Sequence, residues 1–108
     1  MEKNNEVEEI SGHSFNDFIK ENMVLVDFFA EWCMPCLMLA PVVEEMAEKF
    51  SGKIKFGKIN IDNEADLASK FGVMSIPTLI VFKDGVELDR IMGAMPAEQL
   101  EEKLNSLL

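Results

Sequence analysis

The chain has 108 residues, 48% of them hydrophobic, and a formal net charge of -10. This length allows one hydrophobic core and not two, so we expect a single domain over residues 1–108, with residues 1–6 as a flexible N-terminus. The distributed acidic charge disfavours nucleic acid as a partner, and the longest apolar stretch is too short to span a bilayer, so a membrane partner is not expected either.

The first part of the chain alternates strand and helix patterns. Val7 to Ile10 predicts a short strand, and Ser14 and Asp17 have the spacing of a cap that opens a short helix. The nearly continuous apolar run from Met23 to Phe29 is interrupted only by Asp27. Such a run is typical of a strand that is covered on both faces, in the middle of a sheet.

A long helix and another strand follow. Cys33 to Phe50 has helical spacing of its apolar residues, and Pro41 inside it predicts a kink. In Lys53 to Asp62 the apolar side chains change face at Gly57, so helices are expected on both sides of this strand.

Turn signals organise the last part of the chain. A helix over Ala65 to Phe71 is expected to open at Asp62 or Asn63 and to stop at Gly72. The remaining patterns predict, in order, a strand from Pro77 to Lys83, an Asp84-Gly85 hairpin turn, a strand from Val86 to Met92 and a helix from near Pro96. The order βαβαβαββα indicates an α/β protein with a mixed five-stranded sheet flanked by four helices.

The two cysteines, Cys33 and Cys36, are separated by two residues. A disulfide between them closes a loop too small to stabilise the fold much, which favours a chemical role. Because Cys33 lies where a strand gives way to a helix, the positive end of the helix dipole is expected to lower its pKa and make it the nucleophile. Cys36, one turn later, can then attack a mixed disulfide. A zinc half-site or two unrelated buried thiols would be the other interpretation, but His13 is the single further Cys or His, so no metal site is predicted.

Asp27 is unusual because it interrupts an apolar strand. A buried carboxylate loses hydration, so its pKa is expected to rise, and it can then accept the Cys36 proton near neutral pH. The alternative is an Asp27 at an irregular strand end that faces solvent. Lys58 shares strand parity with Phe56, which places its ammonium either near Asp27 or in solvent.

Several motifs together carry a family resemblance. The segment Val26-Asp27-Phe28-Phe29-Ala30-Glu31-Trp32-Cys33-Met34-Pro35-Cys36, with Ala40-Pro41 after it, closely resembles the active-site region of thioredoxins. The other matching motifs, in the family's order and spacing, are Lys58-Ile59-Asn60-Ile61-Asp62, Ile76-Pro77-Thr78, Lys83-Asp84-Gly85 and Gly93-Ala94. The resemblance therefore covers nearly the whole chain and implies the thioredoxin fold.

The resemblance also implies roles for individual residues. Cys33 would be the attacking and Cys36 the resolving cysteine of a redox-active disulfide. Asp27 would be the buried acid/base, and Lys58 the charged neighbour that tunes it. Pro77 would be the family's cis-proline.

A cis bond before Pro77 would present the Ile76 backbone beside Cys33, where an extended substrate strand can pair with it. The implied apolar rim that receives a protein substrate consists of Trp32, Ile61, Ile76, Gly93 and Ala94. For each of them ordinary core or turn packing is the alternative, and for Ile61 and Ala94 the two interpretations are equally supported.

Met34 is the departure from the family, which usually has Gly between the first Cys and the Pro. Its flexible apolar side chain lies at the mouth of the site, where it can contact substrate together with Pro35. The reduction potential therefore cannot be copied from the family. Pro35 resembles the family's reductants, whereas disulfide-forming relatives more often have His there.

The sequence is thus interpreted as a thioredoxin-like protein disulfide reductase that needs no cofactor. We expect a cytoplasmic monomer, since the polar start lacks a secretory signal, with disulfide-containing proteins as substrates and a thioredoxin reductase as recycling partner. A thioredoxin-fold binding module and a disulfide oxidase or isomerase are the alternatives. Retention of both cysteines and Asp27 disfavours the module.

Overall fold

A computed structural model describes residues 6–108 of the chain. Its elements are, in order, β1 (Val7–Glu9), α1 (Phe15–Phe18), β2 (Met23–Phe29), α2 (Met34–Lys49), β3 (Lys55–Asn60), α3 (Ala65–Lys70), β4 (Thr78–Lys83), β5 (Val86–Met92) and α4 (Ala97–Leu107). The predicted order of strands and helices is confirmed. The expected flexible N-terminus over residues 1–6 lies, except for residue 6, outside the described residues.

The strands form one mixed sheet in the order β1-β3-β2-β4-β5. β2 pairs in parallel with β3 and antiparallel with β4, so the most apolar strand is the central one, as its sequence predicts. Every residue of β2 except Phe29 is buried. The central position explains why this strand lacks the alternation of a strand with one solvated face.

Two apolar layers cover the two faces of the sheet. On one face, α2 and α4 pack on Leu25, Phe56 and Val81. On the other face, α1 and the Phe71 ring, which follows α3, pack on strand residues such as Val26 and Ile80. Within β3 the change of face predicted at Gly57 is confirmed, because Phe56 belongs to the first layer and Ile59 to the second.

Of the two predicted helix openings, that of α1 is confirmed and that of α3 is wrong. Ser14 is the N-cap of α1, although its hydroxyl lies by Ser11 and makes no cap bond. α3 opens at Glu64, because the N–H groups of Asn63 and Glu64 first close a turn on the Asn60 carbonyl. At α3 this local turn takes backbone N–H groups that a cap would have used.

The predicted turn glycines are confirmed. After α3, Gly72 has φ 62° and its N–H donates to Ser69, while Val73 donates to Ala68, which ends the helix in a Schellman motif. Asp84 and Gly85 both have positive φ, 52° and 86°, as a two-residue type I′ hairpin between β4 and β5 requires. Pro41 lies within α2 as predicted, and its kink stays a prediction.

Gly57 leaves room for the α1 side of the core. A Cβ built there would lie 2.7 Å from the Phe18 ring and closer still to Ile10 Cδ1. We expect Gly57→Ala to destabilise the protein by about 1 to 3 kcal/mol through overpacking, measured by urea unfolding. Adding Ile10→Val, which deletes the nearest atom, should restore part of the loss. Equal unfolding midpoints for Gly57→Ala and the parent would contradict this packing.

Candidate active site

Cys33 lies at the junction between β2 and α2. It is the N-cap of α2, with φ -93° and ψ 109°, and its Sγ accepts the Cys36 N–H at 3.2 Å. Met34 and Pro35 form the first helical positions, where the missing N–H of a proline costs no hydrogen bond. The Cys36 N–H, at the positive end of the α2 dipole, thus donates to this sulfur, an arrangement that stabilises a thiolate.

The structure holds the two cysteines as a disulfide, with Cα atoms 5.2 Å apart. Cys33 is 5% exposed and Cys36 is 4% exposed. Ala30, beside them, completes a small buried cluster on which Ile61 and Ile76 pack. Both predicted cysteines are therefore together in one site, at the end of the central strand.

The segment around Pro77 lies beside the disulfide. The Ile76–Pro77 peptide bond is cis, and the Ile76 carbonyl oxygen is 3.8 Å from Cys33 Sγ. Gly93 donates its N–H to the Pro77 carbonyl at 2.9 Å, which ties the loop after β5 to the same place. Residues distant in sequence, at 33, 76 and 93, thereby meet at one surface.

Asp27 lies within the apolar layer under α2. It follows Leu25 by two residues in β2, so its side chain points to the sheet face that α2 covers, at the end of the strand nearest Cys33. It is 5% exposed, so the solvent-facing alternative for Asp27 is wrong. Its Oδ1 has no hydrogen-bond partner among the described residues.

The burial of Asp27 changes its acidity. Desolvation raises the pKa of Asp27 from its ordinary value of 3.8 to about 7, and the charge of Lys58 partly offsets the rise. Lys58 is the cross-strand partner of Asp27 in β3, and its half-buried side chain places Nζ 5.5 Å from the Phe29 ring. The carboxyl is thus poised to exchange a proton near neutral pH.

The other sequence-predicted residues surround this pair of cysteines. Ile61, Ile76 and Gly93 are half-buried, and those that are exposed are Trp32, Met34, Pro35 and Ala94. The Trp32 indole donates its N–H to Asp62 Oδ2 at 2.9 Å, across the turn that follows β3. Among residues 6–108 no three His, Cys, Asp or Glu are grouped to hold a metal ion, and no helix in this range is long and apolar enough to cross a membrane.

Comparison with known proteins identifies the family. The family model named Thioredoxin matches residues 6–106. The chain belongs to the thioredoxin family. Thioredoxin from Chlamydia caviae is 48% identical over 99 residues, with 92% of this chain and 96% of the relative covered. Thioredoxin from Staphylococcus saprophyticus is 46% identical, with 92% and 95% covered.

A plant relative and a solved structure agree with this assignment. The chloroplastic M-type thioredoxin of Pisum sativum is 42% identical over 96% of the chain, which spans only 62% of that longer protein. A mutant thioredoxin from Halobacterium salinarum superposes with a TM-score of 0.85 at 37% identity, covering 94% of this chain and 89% of that one. The fold is the thioredoxin fold, and the chain is a thiol-disulfide oxidoreductase that reduces protein disulfides.

Sequence reasoning considered Asp62 only as a possible opening of α3 and assigned it no part in the site, although it lies in one of the thioredoxin motifs. Its bond to Trp32 joins residues 30 positions apart, and no local pattern reports such a contact. The Asp62 backbone N–H donates to Asn60 Oδ1 at 2.9 Å, so the turn itself presents the carboxylate to the indole.

We expect Asp62→Ala to free the Trp32 side chain without unfolding the protein. Trp32 is 69% exposed, so water replaces the lost acceptor, and unfolding free energy should change by less than about 1 kcal/mol. Fluorescence anisotropy of this single tryptophan should fall. Asp62→Asn keeps an acceptor oxygen and is the matched control. An unchanged anisotropy in Asp62→Ala would show that packing alone orders the indole.

Proposed function

We propose that Cys33 is the attacking thiolate and Cys36 the resolving thiol of a cytoplasmic dithiol reductase of protein disulfides. The observation that carries this assignment is the position of the Cys33 sulfur. The sulfur caps α2, accepts the Cys36 N–H and lies beside the Ile76 carbonyl oxygen. Cys36 lies one helical turn further along α2, and it is the proposed resolving thiol.

The proposed reaction moves two electrons. The Cys33 thiolate attacks one sulfur of the substrate disulfide, that S–S bond breaks, and the first substrate thiolate leaves. Cys36 loses its proton and attacks Cys33 Sγ, so the mixed disulfide breaks and the second substrate thiolate leaves. The substrate is reduced to a dithiol, and the protein ends in the Cys33–Cys36 disulfide.

Asp27 is the proposed acceptor of the Cys36 proton. A carboxyl with a pKa of about 7 is partly ionised at neutral pH, so it can take up a proton and return it in each cycle. Its position on the sheet face under the start of α2 supports transfer directly or through one water. Lys58, across the strand pair, is proposed to keep this pKa from rising further.

The proposed substrate-binding surface has a backbone edge and an apolar rim. The Ile76 carbonyl beside Cys33 offers a hydrogen-bond acceptor to an extended substrate strand. The rim is proposed to consist of Trp32, Met34, Pro35, Ile61, Ile76, Gly93 and Ala94, with Pro77 fixing the Ile76 backbone.

The oxidised protein needs two electrons to act again, so we propose a thioredoxin reductase as its second partner. A reducing cytoplasm fits a dithiol that must be kept reduced. We also propose that residues 1–108 form one domain, which acts as a monomer without a bound cofactor.

The deciding experiment is insulin-disulfide reduction with a panel of thioredoxin reductases, followed by redox equilibration with glutathione. Turnover supported by a reductase, together with a reducing potential, is the expected outcome. A potential at the oxidising end would favour an oxidase or isomerase. Undiminished biological function in Cys33→Ser would favour a binding module.

A further inference from the structure

Within residues 6–108, four methionines are exposed around the redox site. We call them the methionine rim: Met34 is 64% exposed, Met38 69%, Met74 93% and Met92 66%. By contrast, Met23 and Met46 are buried in the core at 4% and 0%. The two groups therefore have different roles, since only the buried ones can stabilise the core.

Met34 and Met38 lie on α2. Met34 directly follows Cys33 and begins the helix. Met38 is four residues further, so both side chains lie on the same helix face. That face continues the exposed surface next to the disulfide.

Met74 and Met92 reach the same surface from the other side. Met74 is two residues before Ile76, whose carbonyl oxygen is 3.8 Å from Cys33 Sγ. Met92 ends β5, pairs with Thr78 and precedes Gly93, which is bonded to the Pro77 carbonyl. The methionine rim thus borders the cysteines on both sides.

A thioether is a soft, adaptable contact for apolar partners, and it is also oxidisable. In the disulfide state Cys33 and Cys36 are bonded to each other and 5% and 4% exposed. The sulfurs that an oxidant meets at this surface are then those of the methionine rim. The disulfide protects the two cysteine sulfurs from peroxide but leaves the methionine thioethers exposed to it.

We propose that the methionine rim is a reversible oxidation site for peroxides, and that its sulfoxide form binds protein substrates poorly while the cysteine chemistry is retained. This inference rests on the proposed function, in which protein substrates dock on the surface around Cys33. In each event the methionine Sδ takes one oxygen atom as the peroxide O–O bond breaks. The thioether is oxidised by two electrons, and the peroxide is reduced to water or an alcohol.

The sulfoxide is polar and must lose its hydration when a substrate covers it. The kcat/KM for a protein disulfide therefore falls by about tenfold or more, because the protein substrate covers several residues of the methionine rim at once. A small disulfide reaches Cys33 without covering the methionine rim, so its rate changes by less than about twofold. Methionine sulfoxide reductases restore the thioethers.

The test begins with the oxidised protein, whose disulfide shields both cysteines from hydrogen peroxide. After treatment, peptide mass spectrometry locates the sulfoxides, and dithiothreitol reduces the disulfide but not the sulfoxides. Rates are then measured with insulin and with 5,5′-dithiobis(2-nitrobenzoate). The matched variant is Met34→Leu, Met38→Leu, Met74→Leu and Met92→Leu combined, compared with itself before and after peroxide, because leucine has similar volume and cannot be oxidised.

Support consists of rim oxidation ahead of Met23 and Met46, a selective loss with insulin, resistance of the leucine variant, and recovery with sulfoxide reductases. Full insulin activity with all four residues oxidised overturns the inference, as does an equal loss in the leucine variant. Oxidation of Met23 and Met46 before the methionine rim also overturns the inference. If the untreated protein fails to reduce insulin, the proposed function itself is wrong, and this inference with it.

Discussion

Cys36→Ser is expected to accumulate as a stable mixed disulfide with its substrates, whereas Cys33→Ser forms none and loses at least about a thousandfold of insulin-reducing activity. Cys33 supplies the helix-capping sulfur next to the Ile76 edge, and Cys36 supplies the only thiol that can release the complex. Non-reducing gel electrophoresis and mass spectrometry after mixing with excess oxidised insulin measure the trapped species.

The double variant Cys33→Ser, Cys36→Ser is the control for non-specific adducts and should trap nothing. Thermal melts under reducing conditions show whether each variant is folded. Adducts that form on Cys36 in the Cys33→Ser protein at the rate seen for Cys33 in Cys36→Ser would reverse the assigned order of attack.

The fold could be predicted where local physics and tertiary packing agree. The unbroken apolar run of β2 implies two covered faces, and the central place of β2 between β3 and β4 provides both. Asp84-Gly85 determines its hairpin because few other residues adopt two consecutive positive φ angles. At Ser14 the helix opens where predicted, but the cap bond is absent because the hydroxyl lies by Ser11 and not by the helix N–H groups.

The site could be predicted only as far as neighbouring residues in sequence define it. Cys33 and Cys36 share one helical turn, so their spacing implies their contact. The Trp32–Asp62 bond depends on how the turn after β3 meets the turn before α2, and neither segment contains that information alone. The 93% exposure of Met74 likewise depends on the path of a loop between α3 and β4.

For Asp27 the sequence implied burial but not the absence of a partner. An apolar strand predicts a dehydrated carboxyl, yet any nearby N–H group could have satisfied it. The structure leaves Oδ1 without a hydrogen bond in the described part of the chain, and desolvation therefore dominates over the attraction of Lys58. Because desolvation dominates, ionisation of Asp27 destabilises the folded protein.

Asp27→Asn is expected to stabilise the protein at pH 8 and to change little at pH 4. Between about pH 4 and pH 7 the unfolded carboxyl is ionised while the folded one keeps its proton, so the folded state binds more protons and its stability falls as pH rises. The pKa difference corresponds to about 4 kcal/mol at pH 8. Urea unfolding of the oxidised proteins from pH 4 to 8 measures it. Parallel stability curves for the two proteins would refute an ionising buried Asp27.

The same substitution should slow catalysis while it stabilises the fold. Asparagine accepts no proton, so resolution of the mixed disulfide by Cys36 should slow about a hundredfold at pH 7. Stopped-flow fluorescence of Trp32 during a single turnover with insulin follows this step. The parent rate should rise with pH around 7, and the Asp27→Asn rate should lose that rise. A variant with the parent's rate at pH 7 would remove Asp27 from the mechanism.

Lys58→Met tests whether Asp27 accepts the Cys36 proton or is only a buried carboxyl without a catalytic role. Its charge lowers the pKa of Asp27 across the β2–β3 pair, so its removal should move that pKa above about 7. The pH at which stability ceases to fall and the pH at which the resolution rate rises should then shift upward together. A shift in the stability curve alone would mean that a group other than Asp27 accepts the Cys36 proton, because one titration cannot move without the other when a single carboxyl governs both.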